Sequence, residues 1–93
     1  MKTDSEKKDY MEKAELLKAL ANPVRLCILR TLVNQGSKNV TELHSCLEVS
    51  QSSVSQHLST LRQSGLVSAD KVGNLVYYSC ENELIKKIIE DLF

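Results

Sequence analysis

The sequence predicts a small, mainly helical α+β fold: four helices, a β-hairpin and a closing helix, in one domain over residues 1–93. Three observations carry that prediction. Apolar residues recur at helical spacing through the first two-thirds of the chain, helix-closing signals sit at Asn22-Pro23, Gly36 and Gly65, and Gly73-Asn74 separates two β-rich runs. A chain this short hides only about two-thirds of the surface its unfolded form exposes, so a single layer of helices makes a marginal core. Surplus apolar surface at the chain ends would therefore call for a partner.

The first helix reads from about Ser5 to Ala21, with Tyr10, Ala14, Leu17 and Ala21 on one stripe and Leu16 and Leu20 beside it. Asn22 is a good N-cap, and Pro23 suits the first position of the next helix, whose N–H needs no partner. That second helix runs to about Gln35, burying Leu26, Ile28, Leu29, Leu32 and Val33, and Gly36 stops it. A short helix from Val40 to about Leu47 follows, then a break at Glu48-Val49-Ser50. The next helix is capped by Ser50, turns Val54, Leu58 and Leu61 inward, and ends at Gly65. Two helices joined by so short a link, the second with a narrow apolar stripe, are what a helix-turn-helix requires.

Behind it, Leu66–Val72 and Leu75–Cys80 flank the two-residue Gly73-Asn74 loop of a hairpin, with Val76, Tyr78 and Cys80 alternating with Leu75, Tyr77 and Ser79. A helix from about Asn82 to Phe93 closes the chain. Its Leu84, Ile85, Ile88, Ile89, Leu92 and Phe93 make a stripe too wide for one side of so small a domain.

The helix after Ser50 has an unusual outer surface. Once Val54, Leu58 and Leu61 are removed, Gln51, Ser52, Ser53, Ser55, Gln56, His57, Ser59, Thr60, Arg62 and Gln63 remain. A solvated helix is ordinarily rich in Glu and Lys, and serine costs helix propensity. A major-groove reading helix supplies a reason for this composition. Gln pairs bidentately with adenine, Ser donates or accepts at either base edge, and small side chains allow close approach. Gln51, Ser52, Ser55 and Gln56 are the expected contacts to base edges or adjacent phosphates. Ser53, Thr60 and Arg62 suit the sugar-phosphate backbone, with His57 and the hairpin's Lys71 added to the double-stranded DNA contact set.

Charge argues the other way. Twelve basic and twelve acidic residues cancel, whereas nucleic-acid binders usually carry a basic excess. Between Val49 and Cys80, however, the only charges are Arg62, Asp70 and Lys71, so the reading face is nearly free of carboxylates. Catalysis finds no support: there is no glycine-rich phosphate loop, paired-histidine motif or nucleophile elbow, and His44 and His57 fall on different helices. No apolar run spans a bilayer and no signal-peptide core follows Met1, so a cytoplasmic protein without membrane contact is expected.

Four stretches resemble the ArsR/SmtB family of bacterial winged-helix repressors: Leu17-Lys18-Ala19-Leu20-Ala21-Asn22-Pro23-Val24-Arg25-Leu26, Val40-Thr41-Glu42-Leu43, Ser50 through Leu58 with Leu61-Arg62, and Gly65-Leu66-Val67 through Val76-Tyr77-Tyr78-Ser79. They span nearly the whole chain in the family's order. The resemblance implies a winged helix-turn-helix, a homodimer formed by the terminal helices (about 5–21 and 82–93), an inverted-repeat operator, and repression relieved by an inducer. The wide apolar stripe of the last helix supports the dimer independently.

The family's inducer sites do not transfer. One metal site uses a Glu-Leu-Cys-x-Cys stretch, and Glu42-Leu43-His44-Ser45-Cys46 looks similar. Aligned without gaps on Ser50-Gln51, however, that cysteine pair falls near Asn39 and Thr41. The other site needs Asp and His on the last helix, and Asn82–Phe93 has no histidine. A redox-sensing branch uses one cysteine late in the second helix and one in the last. Here the first of those positions is Arg30, and the last helix has no cysteine.

No metal ligand set and no cofactor are therefore assigned. Cys27, Cys46 and Cys80 form neither a disulfide framework nor a zinc ribbon, and three free thiols are the expectation. Three readings of them stand side by side: inert core thiols, a thiol switch by oxidation or persulfidation, and a soft-metal site across the dimer. A winged helix used for protein docking is the rival from another class.

Overall fold

The computed structural model describes residues 3–93. The elements run α1 (Asp4–Leu20), α2 (Pro23–Gln35), α3 (Val40–Leu43), a 3-10 turn (Cys46–Glu48), α4 (Gln51–Gln63), β1 (Ser68–Val72), β2 (Leu75–Ser79) and α5 (Glu83–Leu92). This is the expected mainly helical fold with a wing.

Each helix begins where a side chain satisfies its orphan N–H groups. Thr3 caps α1 through the Glu6 N–H, and Asn22 Oδ1 accepts from both Val24 (2.9 Å) and Arg25 (3.1 Å) at the start of α2. Asn39 and Glu42 form a reciprocal capping box on α3, and Asn82 caps α5 through Ile85 N–H. Gly36 closes α2 at φ +85°, a conformation that costs glycine nothing.

The core forms where these helices face one another. Ile28, Leu29 and Leu32 of α2, Leu43 of α3, Val54, Leu58 and Leu61 of α4, and Ile85 and Ile89 of α5 are all buried. Leu26 and Val33, expected in the core, pack at its edge. On α1 the buried residues are Ala19 and Leu20, while Tyr10 and Leu17 of the sequence-defined stripe stay exposed.

The hairpin pairs Ser68 with Ser79 through Val72 with Leu75, antiparallel. Only Gly73 takes a positive φ (+62°), and a positive φ confined to the first central residue is the type II′ arrangement. The segment before α3, a loop by its sequence, makes an isolated bridge to the two-stranded wing. Lys38 and Tyr78 exchange backbone hydrogen bonds of 3.0 and 2.8 Å, tying the segment between α2 and α3 to the wing.

Two expectations are corrected. The helix from Val40 ends at Leu43 instead of about Leu47. The His44 N–H and Nδ1 both turn back to the Thr41 carbonyl, and Leu47 and Glu48 sit in the left-handed region at φ 53° and 54°. The turn before α4 therefore runs from His44 to Ser50 and carries two non-glycine residues in a sparsely populated conformation. Nor are there three free thiols. Cys27 of α2 and Cys46 of this turn form a disulfide, with Cα atoms 5.7 Å apart, while Cys80 is free and buried. Their 19-residue separation is no sequence motif; packing the turn onto α2 is what brings them together.

Candidate nucleic-acid interface

The face of α4 follows from its inner stripe. Ser50 caps the helix by accepting from the Ser53 N–H at 3.1 Å, and Val54, Leu58 and Leu61 are fully buried. That rotation leaves Gln51, Ser52, Ser55, Gln56, Ser59, Arg62 and Gln63 exposed on one side, with no acidic side chain among them. The four residues expected at base edges thus lie together on the first two turns of one exposed surface. Such a surface offers hydrogen-bond donors and acceptors without a strong field.

The other assigned residues are placed differently. Ser53, His57 and Thr60 are half-buried along the flanks of α4. The Thr60 hydroxyl donates to the Gln56 carbonyl of its own helix at 3.3 Å. Arg62 is exposed in the last turn, and Lys71 is exposed on β1 of the wing, opposite Val76. His57 is engaged from behind: Arg25 Nη1 donates to its Nδ1 at 3.1 Å. Sequence reasoning passed over Arg25. The available signal was its position, a cation in the first turn of α2, where the helix dipole disfavours positive charge.

The cysteines lie away from the exposed residues of α4 named above, on α2, in the turn before α4 and after β2. Cys46 is buried and Cys27 half-buried at the wall of a groove of about 570 Å³, lined also by Leu26, Arg30, Thr31, Leu47 and Phe93. The Arg30 guanidinium stacks over the Phe93 ring, 4.1 Å from its centroid. Burial pushes the Cys80 thiol above its ordinary pKa, partly offset by a backbone hydrogen bond from Asn82. Among the described residues, no three or more His, Cys, Asp or Glu side chains gather where they could hold a metal ion. A disulfide also withdraws the thiolates that a soft metal would need.

Comparison with known proteins places this geometry. The family described as "Bacterial regulatory protein, arsR family" matches residues 22–69, from the cap of α2 into the wing and over half of the chain. The chain belongs to the ArsR family of bacterial regulatory proteins. The transcriptional activator HlyU of Vibrio cholerae is 47% identical over 75 residues, covering 81% of this chain and 68% of its own length. The structure of reduced HlyU superposes with a TM-score of 0.84 at 41% identity, covering 97% of this chain and 94% of that one.

The transcriptional repressor PagR of Bacillus anthracis is 38% identical over 85 residues, 88% of this chain and 85% of its own length. A homodimeric winged helix-turn-helix DNA-binding domain, Mb0332 from Mycobacterium bovis, matches at 28% identity with a TM-score of 0.84, over 98% of this chain and 83% of that one. The ArsR-family chain is thus a winged-helix transcriptional regulator of the DNA-binding kind. Among its described residues no helix is long and apolar enough to cross a membrane.

Proposed function

We propose that this ArsR-family chain is a repressor that binds an inverted-repeat operator as a homodimer. The observation that carries the reading is the acid-free Gln/Ser face of α4, held outward by its fully buried inner stripe. Gln51, Ser52, Ser55 and Gln56 enter the major groove, while Ser53, His57, Thr60, Arg62 and, from the wing, Lys71 meet the phosphate backbone. The terminal helices form the dimer. Tyr10, Met11 and Leu17 on α1, Leu84 and Leu92 on α5 and Phe93 just after it are exposed in the single chain, and the Mycobacterium bovis relative is homodimeric. Two-fold symmetry then sets the reading helices about 34 Å apart, one turn of DNA.

The inducer is an oxidant acting on Cys27 and Cys46. These residues join α2 to the turn that delivers α4, so their bonding state bears on how the reading helix is held. Starting from two thiols, the more exposed Cys27 sulfur attacks a hydroperoxide as thiolate, becoming a sulfenic acid and releasing the alcohol. The Cys46 sulfur then displaces water to form the disulfide. Two protons and two electrons pass to the peroxide.

Selection of duplexes from a random pool, followed by affinity measurement over a range of salt, tests the reading. A palindromic consensus, two protomers per site and a steep fall in affinity with salt are expected. A protein that enriches no duplex would be a docking module instead. Operator affinity of the reduced and peroxide-treated forms tests the inducer. The reduced form should bind more tightly, and Cys27→Ser should remove the difference. Equal affinity of the two forms would exclude oxidation as the signal.

A further inference from the structure

Arg25 lies where three helices meet. Its Nε donates to the Ala19 carbonyl at 2.6 Å and its Nη2 to the Lys18 carbonyl at 3.5 Å, both at the C-terminal end of α1. A cation is favoured there by the helix dipole, beside the last carbonyls of the helix. From the same guanidinium, Nη1 reaches His57 Nδ1 in the middle of α4 at 3.1 Å. A cleft of about 130 Å³, lined by Lys18, Ala19, Arg25, Thr60 and Ser64, separates α1 from the C-terminal half of α4 at this point. One side chain therefore bridges the two helices beside this cleft.

The chemistry of the pair fixes a state. Arginine carries five N–H donors and no acceptor, and it stays charged. In this contact His57 Nδ1 must accept, which leaves Nε2 as the ring's N–H donor for another partner. Arg25 itself is half-buried and directs three of its five donors to protein acceptors.

We propose that Arg25 is a positioning residue for operator binding: seated on the C-terminal carbonyls of α1, it holds His57 in the Nε2–H tautomer and fixes the orientation of the reading helix relative to the helix that carries the dimer face. The inference rests on the operator reading of α4. It gives that reading a route by which a change at the subunit interface on α1 reaches α4 without passing through the apolar core.

The test compares the full-length wild type with Arg25→Gln, Arg25→Lys, His57→Gln and the Arg25→Gln/His57→Gln double variant. Nitrogen-15 shifts of His57 should report the Nε2–H tautomer in the wild type and a mixture in Arg25→Gln. Each single Gln variant should bind operator about tenfold more weakly, and the double variant no more weakly than either, because the two residues act through one bond. Sedimentation should show all of them dimeric.

The slope of log affinity against log salt should be unchanged in Arg25→Gln. A slope reduced by about one would make Arg25 a phosphate contact and overturn the proposal. An Nδ1–H tautomer in the wild type, or losses that multiply in the double variant, would overturn it as well. Should Arg25→Gln fail to fold, Arg25→Lys keeps the charge but not the fork, and should still release the tautomer and weaken binding. A wild type that binds no duplex would sink the operator reading instead, while the tautomer measurement still decides whether Arg25 sets His57.

Discussion

Reducing the Cys27–Cys46 bond opens a loop that the disulfide closes across 19 positions of sequence. In the chain-entropy treatment, a closed loop of that size stabilises the folded state by about 3 kcal/mol at 25 °C, because it restricts the unfolded chain. For a domain of this length each kcal/mol moves Tm by about 4–8 °C, so reduction should lower Tm by roughly 12–24 °C. Leu47 and Glu48, in the left-handed region, lie just outside the closed loop, immediately after Cys46. The assay is thermal melting followed by far-ultraviolet circular dichroism, in a Cys80→Ala background and at one protein concentration, since a dimer's Tm depends on concentration. Thiol titration establishes the bonding state beforehand. A Cys27→Ser/Cys46→Ser variant should melt near the reduced form and ignore reductant. If fully oxidised and fully reduced proteins melt together, the loop contributes no stability and the argument from its closure is wrong.

Three further outcomes are expected. Gln56→Ala, on the exposed face of α4, should cost about 1–3 kcal/mol of operator affinity and relax preference at one base pair, read by competition with single-site variants of the duplex; unchanged affinity and preference would mean that this helix docks differently. Leu92→Glu places a charge on the exposed apolar face of α5 and should weaken dimerisation by about tenfold or more in sedimentation, whereas an unaltered dimer would take α5 out of the interface. Burial raises the Cys80 pKa in the folded state, so the native protein keeps that proton to higher pH than the unfolded chain does. The resulting stability is full below the ordinary thiol pKa and is lost as pH rises through the raised one. Urea unfolding should therefore show the wild type losing stability relative to Cys80→Ala at alkaline pH, and parallel profiles would contradict the burial argument.

Local signals made most of the fold legible. Asn22-Pro23 marked the start of α2 because cap and ring act within one turn, and Val54, Leu58 and Leu61 marked the inner side of α4 through spacing alone. Setting that stripe aside leaves the Gln/Ser face, so the candidate interface is legible in the sequence alone. The end of α3 is not. His44 to Leu47 carry no breaker, and the left-handed turn arises where Cys46 packs onto α2, a contact between residues far apart in sequence.

By itself, then, the sequence determined the helices, the wing and the outward face of α4, since periodicity and capping are properties of neighbouring residues. Only the tertiary structure decided the fate of Cys27 and Cys46 and the role of Arg25. A disulfide depends on the approach of two Cα atoms, here 5.7 Å apart, and the Arg25 bridge depends on how three helices meet. Neither distance is encoded in any short stretch of chain. Both follow from the packing of α2, the element on which the turn and the reading helix rest.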